Sequence, residues 1–253
     1  MQIVIIGTGN TATVLARKLK LAGHSIVQVY GRNAKAAAAL AAELGADWCS
    51  EWNTITPQAE LYIIAIADSA LAGNDIHLKL TDQLVVHTAG AVSMEVLKNI
   101  SSSYGVLYPY QTLRKEIEQI PAIPFLIDGN TAKAKEQLLH IAESISSKVG
   151  IAGDAARIKY HLCAVIANNF SNYLYTLTEA YCRKNELDFN NLLPLIDETA
   201  GRLHHSTPAA VQTGPAIRKD NTTINRHLQL LRDDTSLQKW YQLFSDEIQE
   251  YKW

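Results

Sequence analysis

The sequence predicts a doubly wound, mostly parallel α/β sheet followed by an all-α C-terminal region. Three observations predict it. Short apolar runs alternate with helical patterns through residues 1–153, a glycine-rich turn stands between the first run and the first helical pattern, and the strand signal stops near Gly153. Strands separated by helices imply right-handed βαβ units. The chain is therefore expected to divide into a sheet domain, 1–153, and a helical domain, 154–253.

Taken in order, residues 3–6 read as a buried strand and 11–22 as a helix that ends at Gly23. Residues 25–30 read as a second strand, and 34–44 as an alanine-rich helix closed by Gly45. Residues 61–67 are continuously apolar, the pattern of a parallel strand covered on both faces, and 84–87 repeat it. Further strands are expected at 105–107, 125–127 and 148–151, with a helix at 132–146. Beyond the boundary, 155–185 has the length and period of one long helix, with more helices at 190–205, 222–232 and 235–250. Pro208, Gly214 and Pro215 mark 206–221 as a loop.

Composition narrows the function. With 23 basic and 25 acidic residues the net charge is -2, which gives no electrostatic case for a nucleic-acid partner. Cys49, Cys163 and Cys182 are odd in number, widely spaced and without a C-x-x-C pair, which argues against a disulfide framework and a zinc site and suits a reducing compartment. The N-terminal residues lack the basic start of a secretory leader, and the 61–67 run is too short to span a bilayer. A cytoplasmic protein with no membrane partner is expected.

The strand at 3–6 runs into Gly7-Thr8-Gly9-Asn10-Thr11-Ala12, a G-x-G-x-x-A turn that opens a helix. That is the context a dinucleotide-binding Rossmann domain requires. Gly7 permits the tight turn, Gly9 lets backbone approach a pyrophosphate, and Ala12 lets the helix pack close to the strand. The helix start offers N–H groups and a positive dipole end to the phosphates, so Gly7, Thr8, Gly9, Asn10 and Thr11 are the expected cradle. The second strand ends at Tyr30-Gly31-Arg32-Asn33. An NAD site usually places an acid here for the ribose 2′-hydroxyl, yet the first acid in the chain is Glu43. Arg32 can instead pair with a 2′-phosphate and stack on adenine, Asn33 can donate to the same phosphate, and Lys35 is close. The alternative, solvated charges at a helix start, sets basic groups against the positive dipole end unless an anion is bound. NADP is therefore the expected cofactor.

Ile66-Ala67-Asp68-Ser69 and His87-Thr88-Ala89-Gly90 follow the two most apolar strands, and strand ends of such a sheet face the cofactor. Ala67, Asp68 and Thr88 are expected beside the ribose and nicotinamide. Asp68 reads equally well as a helix N-cap. His87 reads either as a histidine hydrogen-bonded in place or as one standing where chemistry occurs. On the long helix, His161, Asn168, Asn172, Tyr175 and Glu179 fall on one stripe at about 100° per residue. That stripe is either a solvated face or the lining of an interdomain cleft. In the second reading His161 supplies the proton that carbonyl or imine reduction needs beside the hydride acceptor. Asn169 and Gln111 then position a small-molecule substrate, and His87 is the reserve donor.

These residues resemble a known group. The N-terminal half is similar to the Rossmann domain of pyrroline-5-carboxylate reductases, 6-phosphogluconate and β-hydroxyacid dehydrogenases, and deazaflavin-dependent NADP oxidoreductases. The whole chain resembles a bacterial family of Rossmann-like oxidoreductases whose C-terminal helical domain has no known function. The carriers are residues 7–12, His87-Thr88-Ala89-Gly90, Tyr108-Pro109-Tyr110-Gln111-Thr112, Tyr160-His161 with Asn169, and Gly214-Pro215-Ala216-Ile217-Arg218-Lys219-Asp220 with Thr223 and His227-Leu228. Tyr108 stands where the family often has histidine, and Lys219 where it usually has glycine. The Lys-x-x-x-Asn pair of β-hydroxyacid dehydrogenases is missing, because Cys163 follows Lys159 by four.

The resemblance implies an NADP(H)-dependent oxidoreductase of a small carbonyl or imine compound. Hydride transfer to a deazaflavin, a non-catalytic NADP-binding regulator and a structural dimer module are the rival readings. It also implies a homodimer through the helical domain, to which the aromatic C-terminus (Trp240, Tyr241, Phe244, Tyr251, Trp253) would contribute; burial within one subunit explains Trp240 and Phe244 equally well. Arg218 and Asp220 read as an ion pair capping the following helix, or as part of a loop reaching the cleft of a second subunit.

Overall fold

The computed structural model describes residues 1–73, 76–117 and 120–252. Their contacts form two compact units, Met1–Ile166 and Ala167–Trp253. Trp253, counted above among the C-terminal aromatics, lies outside the described residues.

In the first unit, β1 (Gln2–Ile6), β2 (Ser25–Tyr30), β3 (Asp47–Cys49), β4 (Leu61–Ile64), β5 (Leu84–His87), β6 (Tyr104–Pro109), β7 (Phe125–Gly129) and β8 (Val149–Ile151) form one sheet among the described residues. Its order is β3-β2-β1-β4-β5-β6-β7-β8. The first six strands follow the 3-2-1-4-5-6 order of the dinucleotide fold, and every pairing among them is parallel. β7 runs antiparallel to β6, and among the described residues no helix stands between the two to carry a crossover.

The unbroken apolar runs follow from covering both faces. On one face Ile3, Ile5, Leu61 and Ile63 pack with Leu15 and Leu19 of α1 (Asn10–Leu21), Leu40 of α2 (Ala34–Leu44) and Leu138 of α4 (Ala132–Ile145). On the other, Val4, Ile6, Tyr62 and Ile64 pack with Leu97, Ile100 and Leu71 of the short α3 (Asp68–Ala72). Successive strand residues alternate between two buried faces, so neither side shows a polar period.

Three details depart from the sequence reading. β4 stops at Ile64 rather than Ala67, and the chain enters α3 at Asp68. β3 and α3, of three and five residues, are too short to leave a periodic signal. The expected single helix over 155–185 is α5 (Asp154–Ala164), a π-helical segment (Val165–Phe170) and α6 (Ser171–Lys184). A π segment changes the residues per turn, so the 100° stripe through His161, Asn168, Asn172, Tyr175 and Glu179 does not hold across it. α5 packs in the first unit.

The second unit holds α6, α7 (Leu193–Gly201), α8 (Asn221–Leu230) and α9 (Thr235–Glu250). Asp220 caps α8, accepting from the Thr223 N–H at 3.1 Å and from its hydroxyl at 2.7 Å. His227 and the Tyr241 hydroxyl tie α8 to α9 at 2.7 Å. Of its described residues only Cys182, Ala216, Ile224, Leu231 and Ser245 are buried, while Phe170, Tyr173, Leu187, Leu195, Leu203, Leu230 and Phe244 are exposed.

Candidate functional site

The carboxyl ends of β1, β2 and β4 meet where the strand order reverses, the place such sheets bind ligands. The chain leaves β1 through Gly7 at φ +127°, and a Cβ there would run into the Ala65 carbonyl. The turn is held by the Gly7 N–H donating to Tyr30 O and the Ala65 N–H donating to Ile6 O, both at 2.8 Å. Only glycine satisfies that backbone and that approach together. At Gly9 a Cβ would meet no protein atom, so the space above it is open. Gly9 is the N-cap of α1, makes no side-chain cap, and the first turn carries no acid. The N–H groups there point to an anion rather than to a carboxylate of the chain itself.

A cleft of about 330 Å³ opens over this turn. Gly7, Thr8 and Gly9 form its floor. Tyr30, Gly31, Arg32 and Asn33 come from the end of β2, Ala65, Ile66, Ala67 and Ala70 from the end of β4, and Trp52 from the turn after β3. Arg32 is exposed and makes no ion pair among the described residues. Asn33 caps α2, its Oδ1 accepting from the Ala36 N–H at 3.1 Å, which leaves its amide hydrogens uncommitted by the cap. These residues fit a 2′-phosphorylated dinucleotide: glycines where it would pass, a helix start for its pyrophosphate, and a guanidinium with an amide donor for the third phosphate.

Of the expected cofactor residues, Asn10 and Thr11 form the first turn of α1 rather than the cleft wall. Asn10 Oδ1 accepts from the Lys115 N–H at 3.4 Å. Asp68 is exposed on α3, whose N-cap is Ala67, so it is not the cap that its position after an apolar run suggests. Thr88 is buried and extends β5, its N–H donating to Ile64 O at 3.3 Å.

A second cluster lies at the carboxyl ends of β5 and β6. The Tyr108 hydroxyl and His161 Nδ1 are 3.0 Å apart. Gly90, just past β5, makes room for both: a Cβ there would stand 2.7 Å from His161 Nδ1 and 2.8 Å from Tyr108 Cζ. The Tyr110 hydroxyl donates to the Tyr160 carbonyl at 3.0 Å, fixing α5 to the end of β6. Burial, then Tyr110 and Asp68, push the Tyr108 phenol above its ordinary pKa, so it keeps its proton and can donate to Nδ1. His161 is half-buried, and neighbouring strands about 4.8 Å apart place this edge some 10–14 Å from the β1 turn.

His87 is fully buried at the end of β5. Its Nδ1 accepts from the Ala89 N–H at 3.1 Å, and its Nε2 has no hydrogen-bond partner among the described residues. Burial and then the Arg157 guanidinium lower its pKa to about 4, against smaller opposing effects of the Ser93 backbone and Asp154. Arg157, 1% exposed, donates through Nη2 to the Val92 carbonyl and to Asp154 at 2.7 Å. Burial alone would raise the Asp154 pKa, but hydrogen bonds from Ser93 and Arg157 hold it below the ordinary range. His87 is thus neutral near pH 7 and sealed from solvent. Gln111 is exposed, its Oε1 accepting from the Thr112 N–H at 2.9 Å. Asn169 lies exposed in the π segment.

The residues that sequence reasoning missed are Tyr108, Trp52 and Arg157. Tyr108 lies in the Tyr-Pro-Tyr-Gln run already noted, but its partner is 53 positions away. Arg157 lies on α5, and its burial depends on Val92, 65 positions away. Among the described residues no group of three or more His, Cys, Asp or Glu side chains could hold a metal ion, and no helix is long and apolar enough to cross a membrane.

Comparison with known proteins agrees with this geometry. Residues 2–89 match the family described as NADP oxidoreductase, coenzyme F420-dependent, and residues 123–248 match a domain of unknown function, DUF2520. A crystal structure from Bacteroides fragilis, provisionally named an NADP oxidoreductase, is 39% identical over 99% of this chain and 98% of its own, with a TM-score of 0.89. A 1-pyrroline-5-carboxylate reductase from Streptococcus pyogenes (17% identity, 99% of each chain, TM-score 0.66) shares the fold. So does an imine reductase from Myxococcus stipitatus in complex with NADP+ (14% identity, 99% of this chain and 93% of that one, TM-score 0.67). No protein of curated function matches the sequence. With an NADP oxidoreductase match over 2–89, a DUF2520 match over 123–248 and near-complete overlap at 39% identity, the chain belongs to the same NADP oxidoreductase family as the Bacteroides fragilis protein.

Proposed function

We propose that this protein is an NADPH-dependent reductase of a small carbonyl or imine compound. The observation that carries the reading is the cleft at the strand-order reversal. Its 2′-phosphate end offers Arg32 and Asn33, and no acid precedes Glu43 in the chain. Bound NADPH supplies a hydride to the electrophilic carbon of a C=O or C=N group. The protein's part is to hold both reactants and deliver the proton. Gly7, Thr8, Gly9, Asn10 and Thr11 seat the pyrophosphate, Arg32 and Asn33 hold the 2′-phosphate, and Ala67, Asp68 and Thr88 border the ribose and nicotinamide. His161 donates from Nε2 to the substrate oxygen or nitrogen. Tyr108, on Nδ1, keeps the ring in the tautomer that makes this possible. Asn169 and Gln111 orient the substrate by hydrogen bonds. His87, buried and held to about pKa 4, acts through the backbone of the strand end rather than as a donor.

The C=N-reducing neighbours favour imines over simple hydroxyacids, as does the absent Lys-x-x-x-Asn pair. The fall of NADPH absorbance in the presence of a panel of cyclic imines, amine–carbonyl mixtures, aldehydes and ketones tests the reading. Turnover on at least one C=N or C=O compound is expected. Binding of NADPH with no turnover on any class, deazaflavin included, would instead support a regulator.

We also propose that the working form is a cytoplasmic homodimer and that the functional domains divide at 153/154. The second unit buries too few side chains to be stable alone, and its exposed Phe170, Tyr173, Leu195, Leu203 and Phe244 form the apolar content of an obligate interface. Light scattering at micromolar concentration is expected to give two chains of 27.9 kDa. One chain's mass would refute the dimer.

A further inference from the structure

The cofactor cleft contains an aromatic wall that neither the glycine-rich turn nor Arg32 explains. Trp52 stands in the one-turn helix Trp52–Thr54 after β3, and it lines the same cleft as Gly7, Gly31 and Arg32. One side of its indole is covered: the ring stacks on Tyr30 with centroids 4.3 Å apart and planes 29° apart. Tyr30 itself is buried at the end of β2. The indole is partly buried against the core and leaves some of its surface on the cleft wall.

The turn that carries Trp52 is fixed in advance. The buried Gln28 of β2 clamps it from both directions, its Nε2 donating to the Thr54 carbonyl at 3.0 Å and its Oε1 accepting from the Thr56 N–H at 2.8 Å. The Thr54 hydroxyl donates to the Glu51 carbonyl at 2.7 Å, and Ile55 anchors the turn in the core. A surface turn built only to connect β3 and β4 needs neither a buried glutamine clamp nor a large aromatic on the wall of a cleft. A rigid aromatic plane beside a guanidinium, at the far end of a phosphate cradle, matches a purine ring, which is recognised largely by its π faces.

We propose that Trp52, backed by Tyr30, is the platform on which the adenine of the cofactor stacks. It is a positioning and affinity residue for the adenosine half of the dinucleotide. This inference rests on the cofactor reading above and deepens it. The chemical class recognised is a purine nucleoside carrying a 2′-phosphate.

The test uses adenosine 2′,5′-bisphosphate, which contains adenine and the 2′-phosphate, and reduced nicotinamide mononucleotide, which contains neither. Trp52→Ala is expected to weaken the bisphosphate by about tenfold or more, to leave reduced nicotinamide mononucleotide within about twofold, and to be largely rescued by Trp52→Phe. Tryptophan emission gives an independent readout. In the wild type the bisphosphate should quench it, and in Trp52→Phe, which keeps Trp48, Trp240 and Trp253, the quench should vanish while binding persists. If Arg32→Ala weakens the bisphosphate but Trp52→Ala does not, or if the quench survives in Trp52→Phe, the platform is wrong and the cofactor reading stands. If the wild-type protein does not bind the bisphosphate at all, the cofactor reading fails and the platform with it.

Discussion

Replacing His161 with Gln is expected to slow reduction by about a hundredfold while NADPH binding stays close to wild type. The dinucleotide cleft is built from the ends of β1, β2 and β4, and His161 stands farther along the sheet edge, beside Gly90 and Tyr108. A positioned acid typically contributes 10²–10⁴ in rate, and a hundredfold loss corresponds to about 2.7 kcal/mol of barrier. Gln can occupy the space but has no proton to give. Gly90→Ala offers a second route to the same loss, since its Cβ falls within 2.9 Å of the imidazole and the Tyr108 ring together. That variant should lower the rate and spare NADPH affinity. Tyr108→Phe, which removes only the partner of Nδ1, should cost less than His161→Gln. Single-turnover rates under saturating NADPH, with the substrate found in the imine and carbonyl screen, give the comparison. A His161→Gln enzyme with a normal rate per folded molecule but a lower melting temperature would make the histidine a packing residue.

His87 should dominate the acid sensitivity of the fold. Its pKa is lowered from 6.5 to about 4 in the folded chain, so the unfolded chain binds the proton first. The stability this withholds is fully present above about pH 6.5 and is lost as the pH falls through the folded value near 4. The shift amounts to about 3 kcal/mol. The groups that set it are the enclosing core, the Arg157 guanidinium, the Ser93 backbone and Asp154. His87→Asn keeps an acceptor for the Ala89 N–H in place of Nδ1 and removes the titration. Denaturant unfolding at steps between pH 7 and pH 4 should show the wild type losing about 3 kcal/mol more than the variant. Parallel curves would mean that the buried ring is not the sensitive group.

How legible the molecule was depends on the range over which each feature is encoded. The cofactor end is local. Gly7, Gly9 and Ala12 lie within one turn and Arg32 and Asn33 follow the next strand, so each signal can be read from a few neighbouring residues. The mostly parallel sheet was legible from runs such as Ile3-Val4-Ile5-Ile6, separated by helical patterns and apolar at successive positions as strands covered on both faces are. The antiparallel β7 was hidden because its mark is an absence: no helix stands between β6 and β7 among the described residues. The π segment was hidden because Val165–Phe170 carries no residue that forbids an α-helix. The His161–Tyr108 pair and the Trp52–Tyr30 stack join residues from different elements, and no periodicity reports such contacts. Arg157 left no signal in the sequence: it is buried, and its partner Val92 lies 65 positions away in the chain.

The central claim, that the first unit is an NADPH site whose 2′-phosphate is read by Arg32, is tested most directly by calorimetric titration of NADPH and NADH into the wild type and Arg32→Ala. The account predicts NADPH at least tenfold tighter than NADH in the wild type, a gap of about 1.4 kcal/mol or more. It predicts that Arg32→Ala erases most of that gap while leaving NADH binding unchanged. Equal affinity for the two cofactors in the wild type, or a preference that survives loss of Arg32, would contradict it.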